Sequence, residues 1–470
     1  MTASRYIIFF IVATIPILFA AVQPWVWSFY TSCIVLAFLI LFFQKPVGQV
    51  WQNEGSRIWH PPHIFIFTVG VFFVVTLCQV IPLPDSVLSF LSPFRFRILS
   101  QSRAIIGNPS DLRTLSYAPL TSLAWWIFLL GLFLFFLIFQ KIFTSDRNLK
   151  ILVRILLCVA FFEAIYGIIQ ALIPSMGVLW LDYIKAYLGD ARGTYINRNH
   201  FAGFMEMMLP LGLAYTLAMG TWHRKISFKT LISSERPNFQ FFLSIGLIVM
   251  VLALLLSKSR AGIFGGVIGF LTFALLMRSS SGELPRSFWV IISVIVGMVS
   301  FYSLKIGIDP VLERFFRISK DTSRLDIWHD SMAIIKDHPF GIGLAEFKDV
   351  FPVYNKSNFL DVRYIYLHND YLQLLVETGW IGFLALVGGF YIFLVKSVLK
   401  IRYMRLQSDP LKFFLSIGAL SGLVSIAFHS FFDFNLHMPA NCVYFVMLIG
   451  IVYNCAWREG QREEGRKVRK

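Results

Sequence analysis

Charge is scarce in this sequence. Asp, Glu, Lys and Arg make up 14% of the 470 residues, against about a quarter in an ordinary soluble domain. Cysteine is scarce too. The five are Cys33, Cys78, Cys158, Cys442 and Cys455, each in or at the end of an apolar run and no two close together. That spacing excludes a Cys-x-x-Cys redox or zinc motif and a disulfide framework, and leaves them as small core hydrophobes. Low-complexity tracts and clear internal repeats are also missing. What is abundant is apolar: 57% of the residues are hydrophobic and 17% are aromatic, with 49 Phe. This composition excludes disorder, a collagen-like fibre and a disulfide-stapled mini-protein. It fits a chain that lies mostly in a bilayer, where one crossing takes about 20 mainly apolar residues.

Twelve runs of that kind can be read, at about 6–22, 26–43, 63–81, 120–139, 151–173, 200–219, 241–257, 261–277, 288–306, 371–395, 413–430 and 439–457. The first follows Arg5 without a clean small-x-small cleavage site, and is read as a helix rather than a leader. The expected fold class is therefore an all-α polytopic membrane protein of about 12 transmembrane helices. Helices one to nine occupy 1–306, a large loop 307–370, helices ten to twelve 371–457, and a basic tail 458–470.

The basic residues fix the orientation. With both termini in the cytoplasm, that side holds 24 Lys and Arg against 8 Asp and Glu, and the other side 18 of each, so the whole net charge of +16 lies inside. This is the positive-inside bias. It explains the basic balance by contact with membrane lipids, without nucleic acid. The three longer outer segments are 82–119, 174–199 and 307–370. The last, with eight basic and ten acidic residues, is expected to be a partly helical cap.

Polar groups that persist beside a membrane despite their cost mark function. Four outer segments carry them. Gly189 to Gly203 holds Arg192, Asn197, Arg198, Asn199 and His200, with Glu206 one turn into the next span. An Asn N-cap with interfacial anchoring accounts for part of this but not for two Arg. Ser257-Lys258-Ser259-Arg260 is a tight connection followed by Gly262, Gly265, Gly266 and Gly269. It reads either as a charged tip with snorkelling side chains or as a fixed guanidinium beside hydroxyls, an anion cradle. Arg324 opens an amphipathic helix that ends before His338-Pro339 and Gly341-Ile342-Gly343. A cation in a first helical turn opposes the macrodipole unless it faces an anion. Where the cap returns to the membrane stand His368, Asn369 and Asp370, with Glu377 about two turns deeper. Asn369 or Asp370 can cap that helix and orient His368.

In this order the four segments resemble the O-antigen ligase and O-antigen polymerase superfamily of bacterial membrane glycosyltransferases, over about 185–395. The stretches that carry the resemblance are GTYINRNHFAGFMEMMLPL, SKSRAG, RLDIWHDSMAIIKDHPFGIGLAEF and YLHNDYLQLLVETGWIG. Ala261 stands where the family often has Gly. The resemblance implies a GT-C-like fold in the bacterial inner membrane and an active site on the periplasmic side. It also implies a glycan donor carried on undecaprenyl pyrophosphate, a lipid or glycan acceptor, and no cofactor. Matched by motif, its essential residues are Arg260, Arg324 and His368. The residue chemistry agrees. Guanidinium groups stabilise a departing pyrophosphate without a metal, and the outer loops lack the Asp-x-Asp or Glu-x-Asp pair that usually holds one. A His suits a base for the acceptor hydroxyl near neutral pH. Arg192, Asn197, Arg198, Asn199, His200, Glu206, Asn369, Asp370 and Glu377 are expected to line the substrate site. The acceptor stays open: lipid A-core for a ligase, a lipid-linked repeat for a polymerase, Ser or Thr for a protein O-oligosaccharyltransferase. A twelve-span transporter is the competing class, although the polar residues crowd on one side rather than at a midplane.

Overall fold

The computed structural model describes residues 2–43, 63–106, 113–179, 187–220, 235–282, 322–356, 363–404 and 408–458, together with 284, 288–289, 292–293, 297 and 406. Among them every regular element is a helix: α1 Thr2–Thr14, α2 Pro24–Phe43, α3 His63–Cys78, α4 Asp85–Leu91, α5 Pro93–Ile106, α6 Pro119–Ile142, α7 Asp146–Leu172, α8 Arg198–Met219, α9 Glu235–Leu256, α10 Arg260–Ser281, α11 Thr322–Asp337, α12 Phe347–Tyr354, α13 Asp370–Tyr403, α14 Pro410–His429 and α15 Pro439–Val452. Nine stretches are long and apolar enough to cross a membrane among the described residues, and α1 and Phe65–Cys78 are shorter apolar helices. The protein is a polytopic helical membrane protein. Most of the ninth expected span, 288–306, the loop between α8 and α9 and the basic tail after Arg458 lie outside the described residues.

The ends of the helices follow local chemistry. Ser145, Asn197, Ser259, Asn369 and Asp409 each cap a helix by accepting a backbone N–H, and Pro begins α2, α6, α14 and α15, where its missing N–H costs nothing. Two spans differ from the expectation. The first helix stops at Thr14 rather than continuing to 22, because Pro16 bars the helical conformation of the residue before it. Phe19, Ala20 and Ala21 then turn through left-handed backbone. The tenth, α13, runs 34 residues but breaks at Gly379, whose φ is 67°.

α8, α14 and α15 form the buried centre, and α2, α9, α10 and α13 show apolar side chains outward, as a lipid-facing shell does. Small residues let the centre close. A β-carbon at Gly418 would collide with Ala214, and one at Gly422 with the Met207 carbonyl, so α14 lies directly on α8.

Outside the bundle, α4, α5, α11 and α12 make the cap. Ile327, Ile334, Phe347, Val350 and Phe351 form its own small core. Its anchor is buried Glu346, which accepts from the Ser116 and Ser122 hydroxyls and the Tyr117 N–H, each at 2.5 Å. His338 is buried between Ser92 Oγ (3.0 Å), Tyr354 OH (3.2 Å) and Tyr117 OH (3.3 Å), so it joins both outer segments. Burial lowers its pKa to about 4. The Gly341 turn crosses the break in α13. The carbonyls of Val376 and Glu377, released by the break, accept from the N–H groups of Ile342 (3.2 Å) and Gly343 (3.0 Å). A broken helix in a membrane needs such replacement partners.

Candidate active site

The polar segments meet at one end of the bundle, where α8, α10, α13 and α15 begin and α9 and α14 finish. Two of them are knitted directly. Ala191 N–H donates to the Leu256 carbonyl (3.0 Å), and Lys258 pairs with Asp190 (2.7 Å). Asp190 also takes Arg198 at 2.6 Å, so one buried carboxylate holds two cations from different segments. Arg192 is 1% exposed. Arg260 begins α10, where Gly262 lies against Ala202 of α8 so closely that a β-carbon would clash. That contact sets the start of α10 beside the start of α8. Lys258, just before it, has a left-handed φ of 52°.

The other two segments meet on a fifth element, the turn 430–438 between α14 and α15. Arg324 Nη1 donates to the Phe432 carbonyl (2.9 Å), and the indole N–H of Trp328 donates to the Leu367 carbonyl (2.8 Å). His368 Nδ1 meets Asp433 Oδ1 at 3.2 Å. Asp433 is 1% exposed and also accepts from the Asn199 amide (2.5 Å) and the Phe434 N–H (2.9 Å). Burial alone would raise its pKa. The His368 hydrogen bond and the neighbouring His200, His368 and Arg324 outweigh burial and hold the carboxyl below the ordinary carboxylate range. An ionised Asp433 accepting from Nδ1–H leaves the His368 lone pair on Nε2, outward from the carboxylate. The Phe434 ring touches both His200 and His368 edge-on and stacks on Tyr366 at 4.2 Å.

The expected residues divide as follows. Arg324, His368, Asn199 and His200 gather around Asp433, with His200 Nε2 at 3.9 Å from it. Asn197 caps α8 and Asn369 caps α13. Asn369 and Asp370 do not orient His368, since Asp433 does. Asp370 accepts instead from the Leu436 N–H (3.1 Å) and pairs with His437 (2.7 Å). Burial lowers the His437 pKa, but Asp370 reverses the direction and raises it. Glu206 lies deeper, paired with His429 at 3.1 Å, both fully buried. Glu377 accepts from Ala345 N–H and the Gln373 amide, each at 2.9 Å, where cap and α13 join. Sequence reasoning missed the central role of Asp433. Its signal was a carboxylate in a short turn between two apolar spans, with Asn435 and His437 beside it.

A partly exposed histidine held by a buried carboxylate at the end of a helical membrane bundle describes a class: a polytopic membrane protein with its polar groups gathered at one end. The comparisons with known proteins narrow it. Residues 245–387 match the family model described as O-antigen ligase, a stretch that contains Arg260, Arg324 and His368. This supports the resemblance to the O-antigen ligase and polymerase superfamily and, in general terms, a glycosyltransferase-like ligase or polymerase in a membrane. No curated protein matches the chain.

Proposed function

We propose that this protein transfers a glycan from undecaprenyl pyrophosphate to an acceptor hydroxyl on the periplasmic face, without a metal. The observation that carries the reading is the His368–Asp433 pair, with Arg324 bonded to the residue before Asp433. His368 Nε2 takes the proton of the acceptor hydroxyl as that oxygen forms its bond to the anomeric carbon. The bond from that carbon to the pyrophosphate oxygen breaks, and its electron pair leaves with the lipid pyrophosphate. Asp433 holds the ring in the required tautomer and stabilises the imidazolium that results. Arg260 and Arg324 hold the charge of the leaving group in two-pronged contacts that Lys does not reproduce. Arg192 and Arg198 are donor-side residues, and Asn199 acts through Asp433.

The test is the glycan profile of a deletion strain carrying each variant at matched expression. Arg260→Ala and Arg324→Ala are expected to abolish transfer, with little recovery by Lys. Accumulated lipid-linked polymer identifies a ligase, and accumulated single repeats a polymerase. Normal glycans in both Ala variants would remove these cations from the chemistry. Activity of the purified protein on a lipid-linked donor is expected to survive excess EDTA. Loss with EDTA and recovery with Mg²⁺ would contradict the metal-free reading.

A further inference from the structure

Beside the candidate site, and lined by none of its arginines, is a slot of about 270 Å³ inside the bundle. α13 packs along α3 and α15 along α6, and the slot lies between these two helix pairs. On α6 it extends from Trp125 to Phe136, a length of about 16 Å at 1.5 Å per residue. Its walls are aliphatic and aromatic, with Leu132, Leu386 and Phe445 on three different helices. Only its outer end is ionisable, where Asp370, His437 and Glu377 stand. No Lys or Arg lines it among the described residues.

An elongated apolar slot between membrane helices suits a hydrocarbon chain, and the ionisable end decides which lipid. A pyrophosphate there would face Asp370 and Glu377 with a single histidine to offset them, against the like-charge rule. The cations of this end of the protein, Arg192, Arg198, Lys258, Arg260 and Arg324, are not among the lining residues. Carboxylate and imidazole are instead good partners for sugar hydroxyls. The position is also right for an acceptor. The Asp370 N–H donates to the Ser430 and Asp433 carbonyls, and Asp370 follows His368 by two residues. The Tyr366–Phe434 stack stands between, with His437 on one side of it and His368 on the other.

We propose that this slot binds the hydrocarbon chain of a lipid acceptor, whose neutral sugar head is received at Asp370 and His437 beside His368. The assignment to the acceptor rests on the reading of His368 as the base. Binding is tested without turnover, in the purified full chain, with an alkyl glucoside that carries a photoreactive diazirine on its alkyl chain. Crosslinks are expected on α6, α13 and α15 at slot residues. Unlabelled alkyl glucoside is expected to compete, and an alkyl phosphate of equal chain length to compete at least fivefold less well. Leu132→Trp and Leu386→Trp fill the slot from different helices. Each folded variant, judged by a monodisperse elution profile, is expected to lose at least fivefold in labelling. Equal labelling in both filled variants would overturn the slot. Equal competition by the phosphate would overturn the acceptor assignment and favour the donor chain or bulk phospholipid. Because labelling needs no catalysis, its failure leaves His368 untouched, and a dispensable His368 leaves the crosslinks intact while removing the acceptor label.

Discussion

His368 is held with a φ of 52°. A side-chain-bearing residue in left-handed backbone costs on the order of 1–3 kcal/mol unless its surroundings over-determine it. Here the Asp433 hydrogen bond, the Phe434 ring and the Asn369 cap do so. Residues acting as a unit give non-additive losses. Asp433→Asn is therefore expected to lower turnover by roughly 100-fold or more, within the range of general-base effects, and to cost little more when combined with His368→Gln. Multiplying losses in the double variant, measured on purified protein, would show two independent roles. His338 gives a second residue-level prediction, this time for stability. Its pKa is about 4 in the fold, against 6.5 for the free group. Above pH 6.5 both states are neutral and stability is complete. As pH falls from 6.5 towards 4, the unfolded segment binds a proton that the fold refuses, and on the order of 3 kcal/mol is lost. The protection factors of amides 338–354, that is, exchange measured against the intrinsic rate at each pH, are expected to fall between pH 7 and pH 5 in the native protein and to stay level in His338→Gln. Unchanged protection in the native protein would mean that His338 is not a pin of the cap.

Helix positions at the site depend on contacts with no room for a side chain. A β-carbon at Gly265 of α10 would strike the Glu206 carboxylate, which is held against His429 of α14. Gly265→Val is therefore expected to separate α10 from α8, to destabilise by about 1–3 kcal/mol as overpacking does, and to lower transfer through Arg260 without touching it. Thermal unfolding together with transfer by Gly265→Val checks this, and unchanged values for both would refute it. The helices themselves were legible in the sequence because each apolar run is long and caps or Pro mark many of its ends. The break at Gly379 was not, because it arises where the Pro339–Gly341 crossing meets α13, a contact between residues about 40 positions apart. For the same reason the pairing of His368 with Asp433, 65 residues away, is invisible to local pattern. The four motifs showed which residues to bring together, and the 430–438 turn supplies the surface on which three of them meet.

For the molecule as a whole, nine membrane-length helices among the described residues leave the chemistry at one end of the bundle. The charge distribution predicts which side that end faces. Single cysteines placed at Ser102 in α5 and at Lys336 in α11 are expected to react with an impermeant reagent from the periplasmic side, and one at Lys229 only after the cytoplasmic side is opened. Labelling of the Lys229 position in sealed cells would invert the topology. Whether an Asp433-oriented His368 is the base for glycan transfer at this end is decided by single-turnover transfer from a lipid-linked donor by the purified His368→Gln variant, at saturating acceptor. A fall of roughly 100-fold or more is expected, with donor binding retained. Turnover close to that of the native protein would contradict it.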